Sequence, residues 1–138
     1  MLKGLPASGK TTHAKKLVED GWKRVNKDEM RDLFDNGKWS GKKEKFILKM
    51  RDFAVEEAIR DGYNVVVDDT NLAEKHKKRI ATVCTKLNKE GVSCEFLEEF
   101  IDTPLDVCLQ RDKEREKSVG ADVILKMYKR LQSVKGNF

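Results

Sequence analysis

Residues 4–11 read Gly4-Leu5-Pro6-Ala7-Ser8-Gly9-Lys10-Thr11, an unbroken match to the phosphate-binding pattern G-x-x-x-x-G-K-[ST]. Gly4 and Gly9 let the backbone wrap closely round a polyphosphate, so that N–H groups point inward at its oxygens. Lys10 reaches the β- and γ-phosphates, and the Thr11 hydroxyl suits Mg²⁺. Pro6, Ala7 and Ser8 in the loop, with Thr12 just beyond it, complete the expected nucleotide-binding set. A helix opening near Lys10 would add the positive end of its dipole beneath the anion. The expected ligand is a nucleoside triphosphate.

Outward from this loop, strand and helix signals alternate. Only Met1, Leu2 and Lys3 precede Gly4, so the first strand is a stub, or the natural start lies upstream. A helix is expected over about 10–19, with Ala14, Leu17 and Val18 on one face, ended by Gly21. A strand over 22–26 leads to a short helix over 28–35 with Met30, Leu33 and Phe34 inward. Asn36-Gly37 is a turn signal. A long amphipathic helix over about 42–61 repeats Phe46, Met50, Phe53, Ala54 and Ala58 at helical spacing. The apolar strand 64–68 ends in acid, and a helix over 73–90 closes at Gly91. A strand over 94–101 meets Thr103-Pro104, a cap with proline at the first helical position. Helices over 104–116 and 122–134 follow, broken at Val119-Gly120. One helix after each strand predicts an α/β fold, with a parallel sheet covered on both faces and ligands at the carboxyl ends of its strands.

The chain has 138 residues, 38% hydrophobic and 38% charged, which fits a single domain over 1–138. No run approaches a membrane span and no leader precedes Gly4, so a cytoplasmic protein without a membrane partner is expected. Cys84, Cys94 and Cys108 lack CxxC spacing and fall in apolar stretches; buried free thiols are expected, not a zinc site. A net charge of +5 and a pI near 9.1 permit a polyanionic partner. The basic runs at Lys42-Lys43 and 75–79 are interrupted by Glu44, Glu74 and apolar residues, and read first as solvated helix faces.

Three strand ends should flank the triphosphate: Lys10-Thr11, Asn26-Lys27-Asp28, and Asp68-Asp69-Thr70-Asn71. Asp28 either accepts the proton of an attacking hydroxyl or caps a helix. Arg31, one turn on, could clamp an acceptor phosphate bidentately. Asp68 and Asp69 assist Mg²⁺ or the acceptor, or simply exit a strand. Adjacent acids lack the D-x-D spacing of an aspartyl-phosphatase. Arg111 and Arg115, four apart, are either lid arginines that neutralise transition-state charge or members of an ion-paired surface helix.

Taken in order, G-L-P-A-S-G-K-T, V-N-K-D-E-M-R, V-D-D-T-N-L, R-D-K-E-R and A-D-V-I-L-K-M-Y resemble the 5′-polynucleotide kinases of bacteriophage and RNA-repair systems. The resemblance covers nearly the whole chain. It implies a P-loop kinase fold: a four-stranded parallel sheet in the order 2-3-1-4, helices on both faces, and a helical lid at about 111–121. It implies transfer of the γ-phosphate of ATP, or another NTP, to the 5′-OH of DNA or RNA. Asp28 would activate that hydroxyl and Arg31 would grip the acceptor's backbone phosphate. Asp69, Thr70 and Asn71 would help hold the acceptor, while Arg111 and Arg115 would act on the donor phosphates. Mg²⁺ would sit on Thr11, partly through water, with Asp28 and Asp69 reaching it indirectly. Ala7 stands where many relatives carry glycine, Lys27 replaces a usual arginine, and Val119-Gly120 lacks the usual Val-Pro. No phosphatase or ligase segment is attached, so 3′-end processing is not expected of this chain. A phage origin would place it in the host cytoplasm. The alternatives are a kinase of a nucleoside, sugar or antibiotic, and a non-catalytic nucleotide-binding switch.

Overall fold

The structure is a computed structural model that describes residues 1–70 and 73–135. Its elements run β1 (Leu2–Lys3), α1 (Lys10–Glu19), β2 (Lys23–Val25), α2 (Lys27–Asp35), α3 (Gly41–Arg60), β3 (Val65–Val67), α4 (Glu74–Lys89), β4 (Glu99–Phe100), α5 (Leu105–Glu114) and α6 (Ala121–Lys135). All strand pairing is parallel. β2 pairs with β3, Lys23 opposite Val65, and β1 pairs with β4, Leu2 opposite Glu99. The two ladders meet through one bridge, Leu2 opposite Asp68, and the Gly4 N–H donates to the Thr70 carbonyl at 3.3 Å. The expected four-stranded sheet is thus two short parallel ladders joined at the exits of β1 and β3.

Alternation along β3 explains the layers, since successive strand side chains point to opposite faces. Val66 packs with Leu2 and Ala14 of α1, whereas Val67 packs with Val55 of α3 and Ile80, Val83 and Leu87 of α4. A third cluster, Leu5, Cys108 and Ile124, fixes α5 and α6 beneath the phosphate loop. Full burial of Leu87 and Ile47 contributes about 1.5–3 kcal/mol each.

Several expectations need correction. The inward face of α3 is Ile47, Arg51 and Val55, while Phe46 and Phe53 are exposed. Arg51, wholly buried, fills the central inward position because Asp52 and Asp69 neutralise it at 3.2 and 3.5 Å. Leu33, Phe34 and Val18 are likewise exposed. β4 is shorter than the expected strand over 94–101, and Asn88 holds Cys94 outside the ladder. Its Oδ1 accepts from the Cys94 N–H at 2.9 Å, and its Nδ2 donates to the Cys94 carbonyl at 3.0 Å. Pro104 is the N-cap of α5, one place earlier than expected. The three thiols are free, with Cys84 and Cys108 buried and Cys94 half-buried.

Candidate active site

A cavity of about 1420 Å³ opens where the carboxyl ends of β1, β2 and β3 converge. Its wall includes the loop from Pro6 to Thr12, then Asn26, Lys27, Asp28, Arg31, Asp68, Asp69, Thr70, Arg111 and Arg115. The three strand ends singled out by the sequence are therefore brought together. Asn71 lies outside the described residues. Nine lysines and arginines and four carboxylates line the wall, so the cavity favours an anion.

The donor side is built by backbone. Gly9 opens α1 at φ +102°, with no side-chain cap and no acid in the first turn. The first N–H groups of the helix are left for a ligand. Ala7 also adopts a left-handed φ, +61°, which explains why glycine is favoured there. Gly4 serves differently. It is buried and outside the cavity wall, and a Cβ there would lie 2.8 Å from Ser8 Oγ and 3.1 Å from the Ile101 carbonyl. Thr103 Oγ1 donates to the Ser8 carbonyl at 2.5 Å, fastening the loop to the exit of β4.

Lys10 is buried with Nζ donating to the Gly4 and Leu5 carbonyls at 3.0 and 2.7 Å and to Ser8 Oγ at 3.4 Å. Burial lowers its ammonium to about 8, an effect that Asp68 opposes and Arg115 reinforces. Thr11 and Thr12 are exposed on the cavity wall. Arg111 Nη1 lies 3.7 Å from where a Cβ on Gly9 would stand, directly over the loop. Arg115 is the C-cap of α5 in extended conformation, so it leaves the helical face shared with Arg111, yet both reach the cavity.

Asp112, missed in the sequence, organises this segment. Its carboxylate accepts from the Val119 and Gly120 N–H groups, both at 3.0 Å, and from Arg115 Nε at 2.9 Å. Burial alone would push the carboxyl up; these donors outweigh it and hold it below the usual range.

The side expected for the acceptor is built by ion pairs. Asn26, not Asp28, caps α2: its Oδ1 accepts from the Glu29 N–H at 2.9 Å, and its Nδ2 donates to the Asp68 carbonyl at 2.6 Å. That removes the capping explanation for Asp28, whose side chain is 86% exposed and touches only the Arg31 guanidinium among the described residues. Arg31 forks onto Glu44 of α3, Nε and Nη2 each at 2.8 Å. The fork holds the Glu44 carboxyl below its usual range. Asp69 is buried against the Lys27 N–H at 2.8 Å and Arg51 at 3.5 Å, and burial raises its carboxyl. Asp68, almost wholly buried, pairs with Arg24 Nε at 2.8 Å. His76, on the same wall, is lowered to about 4 by burial with Lys27 and Arg51 nearby, so it stays neutral near pH 7.

Residues 1–134 match the family described as AAA domain, AAA_33. The chain belongs to it and is a P-loop kinase domain. It is 26% identical to the L-seryl-tRNA(Sec) kinase of Methanococcus maripaludis, covering 96% of this chain and 52% of that protein. It is 30% identical to a "Putative bifunctional polynucleotide kinase/RNA ligase" of Autographa californica nuclear polyhedrosis virus, covering 97% and 21% respectively. Among solved structures it resembles a chain of the Pnkp1/Rnl/Hen1 RNA repair complex, with TM-score 0.81 and 27% identity over 99% of this chain and 44% of that one. The P-loop kinase domain thus spans about half the length of the first of these relatives and less of the others.

Sequence reading missed the partners that aim this kinase domain's side chains: Glu44, Arg51, Arg24, Asn26 and Asp112. Only Arg51 left a signal, a lone cation midway between Ile47 and Val55 in a helical repeat. Among the described residues no cluster of three or more His, Cys, Asp or Glu could hold a metal, and no helix is long and apolar enough to cross a membrane. With Asp68 and Asp69 committed to arginines, the donor set fits an ion bound chiefly by the triphosphate's own oxygens and Thr11, as is usual for Mg²⁺.

Proposed function

We propose that this domain is a polynucleotide 5′-hydroxyl kinase, transferring the γ-phosphoryl of ATP, or another NTP, to the 5′-OH end of DNA or RNA. The observation that carries it is Asp28: an exposed carboxylate on the cavity wall, freed from capping by Asn26 and touched by Arg31. In this reading the loop N–H groups and Lys10 hold the β- and γ-phosphates. Thr11 and the triphosphate would hold Mg²⁺, with Asp28 and Asp69 assisting indirectly, and the ion would supply charge neutralisation.

The acceptor's 5′ oxygen attacks the γ-phosphorus while Asp28 takes its proton, and the bond to the β,γ-bridging oxygen breaks. Arg111 and Arg115 stabilise charge on the moving phosphoryl group. Arg31, aligned by Glu44, offers Nη1, which rests on Asp28, to the acceptor's first phosphate. Asp69 contributes by fixing the start of α2 through Lys27, with Thr70 and Asn71 beside the acceptor.

The test is transfer of label from γ-labelled ATP to 5′-OH oligonucleotides, nucleoside 3′-monophosphates, nucleosides and a seryl-tRNA. Oligonucleotide and 3′-monophosphate labelled in preference to nucleoside supports the reading. A second reading, phosphorylation of a seryl-tRNA, is favoured by the likeness to the L-seryl-tRNA(Sec) kinase of Methanococcus maripaludis. Label on seryl-tRNA alone would select it, and equal rates on nucleoside and oligonucleotide would select a small-molecule kinase.

A further inference from the structure

The outer face of α3 carries a pattern that the chemistry above does not use. Lys42, Phe46, Lys49 and Phe53 recur at i, i+4, i+7 and i+11, which aligns them in one stripe along the helix. Phe46 and Phe53 are 45% and 58% exposed, and both lysines are exposed. From Lys38 to Lys49 the chain has five lysines and one acid, Glu44, which is committed to Arg31 and Lys27. Among the described residues, Lys42 and Lys49 have no carboxylate partner.

The stripe is continuous with the acceptor side of the cavity. Phe34 lies on α2 one turn beyond Arg31, about 5 Å along the axis. Its ring meets that of Phe46 edge-on, with centroids 5.3 Å apart. Trp39, 69% exposed, stands on the turn between the two helices. From Lys42 to Phe53 the helix rises about 17 Å, the span of about five phosphates in a stacked single strand.

Cations alternating with exposed rings match the chemistry of single-stranded nucleic acid, whose phosphates seek ammonium groups while every base offers a face for stacking. We propose that this stripe, with Phe34 and Trp39 at its head, is the track on which the acceptor strand lies beyond its 5′ end, binding without base preference. The proposal rests on the polynucleotide reading above and adds to it where the rest of the substrate runs.

The experiment compares an acceptor of about ten nucleotides, long enough to cover the track, with a nucleoside 3′-monophosphate, which carries the hydroxyl and first phosphate but cannot extend along the stripe. Lys42→Ala/Lys49→Ala and Phe46→Ala/Phe53→Ala should each raise KM for the oligonucleotide at least about fivefold. KM for the monophosphate, and kcat on both, should not move. Direct oligonucleotide binding across a salt series should lose about 0.7 of log–log slope per lysine removed. If the unmutated protein labels neither acceptor, the polynucleotide reading falls and the track with it. If it labels both and the variants leave oligonucleotide KM unchanged, the track alone is overturned. A dimer seen by sedimentation and abolished by Phe46→Ala/Phe53→Ala also overturns it, assigning the stripe to a second copy of the chain.

Discussion

The two walls of the cavity hold their cations in opposite ways. On the donor wall, Lys10 is held by two carbonyls and a hydroxyl, Arg111 has no carboxylate partner among the described residues, and Arg115, paired with Asp112, is the exception. On the acceptor wall Arg31 is matched to Glu44, and behind that wall Arg24 is matched to Asp68 and Arg51 to Asp69 and Asp52. A cation solvated only by neutral groups keeps its full attraction for an incoming anion. One already forked onto a carboxylate spends that attraction on fixing geometry. The donor wall is therefore built to bind charge and the acceptor wall to aim groups.

The sharpest way to break this contrast is Lys10→Ala. Removing the loop's uncompensated cation should lower transfer by about a thousandfold and weaken triphosphate binding, measured by initial rates and calorimetry with a non-hydrolysable ATP analogue. Near-normal turnover would mean that the donor wall does not depend on its free charge.

Asp28→Asn comes next. Because Asn26 supplies the cap of α2, the melting temperature should hold, while transfer falls by about a hundredfold or more and ATP affinity is retained. A variant that loses stability but keeps activity would reduce Asp28 to a structural residue.

Glu44→Gln probes aiming directly. Its amide cannot fork with Arg31 as a carboxylate does, so KM for the oligonucleotide should rise by about fivefold, with the loss of roughly 1 kcal/mol of charge-assisted bonding. ATP affinity should stay constant. A rise in ATP Kd of the same size would show that the two walls are not separable.

A further effect concerns protons. Lys10 in the folded chain titrates near 8, below its usual 10.5. The unfolded chain then binds more protons between those values, so stability rises with pH across that window. Triphosphate binding has the opposite slope, because it needs the ammonium. Affinity should fall by up to about tenfold per pH unit above pH 8. A Lys10→Ala variant should lose that slope; titrations at about pH 7 and about pH 9 decide it.

What was legible in the sequence follows the same division. The donor loop depends on local backbone freedom, so its residues could be read in one stretch from Gly4 to Thr12. Element boundaries were also legible where glycine stops a helix, as at Gly21 and Gly91, both with positive φ. The acceptor wall depends on pairs 42 and 44 residues apart in the chain, such as Lys27 with Asp69 and Arg24 with Asp68. Such pairings leave no local mark. The face of α3 was misread for that reason: periodicity weighs a side chain's own polarity, and Arg51 is buried only because distant carboxylates neutralise it.

The bond from Thr103 Oγ1 to the Ser8 carbonyl, with β1 paired to β4, has a consequence in time. The phosphate loop depends on a strand almost a hundred residues later, which at about 5–20 residues per second follows it from the ribosome by some 5–20 s. Until Glu99 to Thr103 emerge, Leu2 and Lys3 have no neighbour on that edge. The loop gains this part of its support only after Thr103 has been made, well after its ties to Asp68 and Thr70 become available.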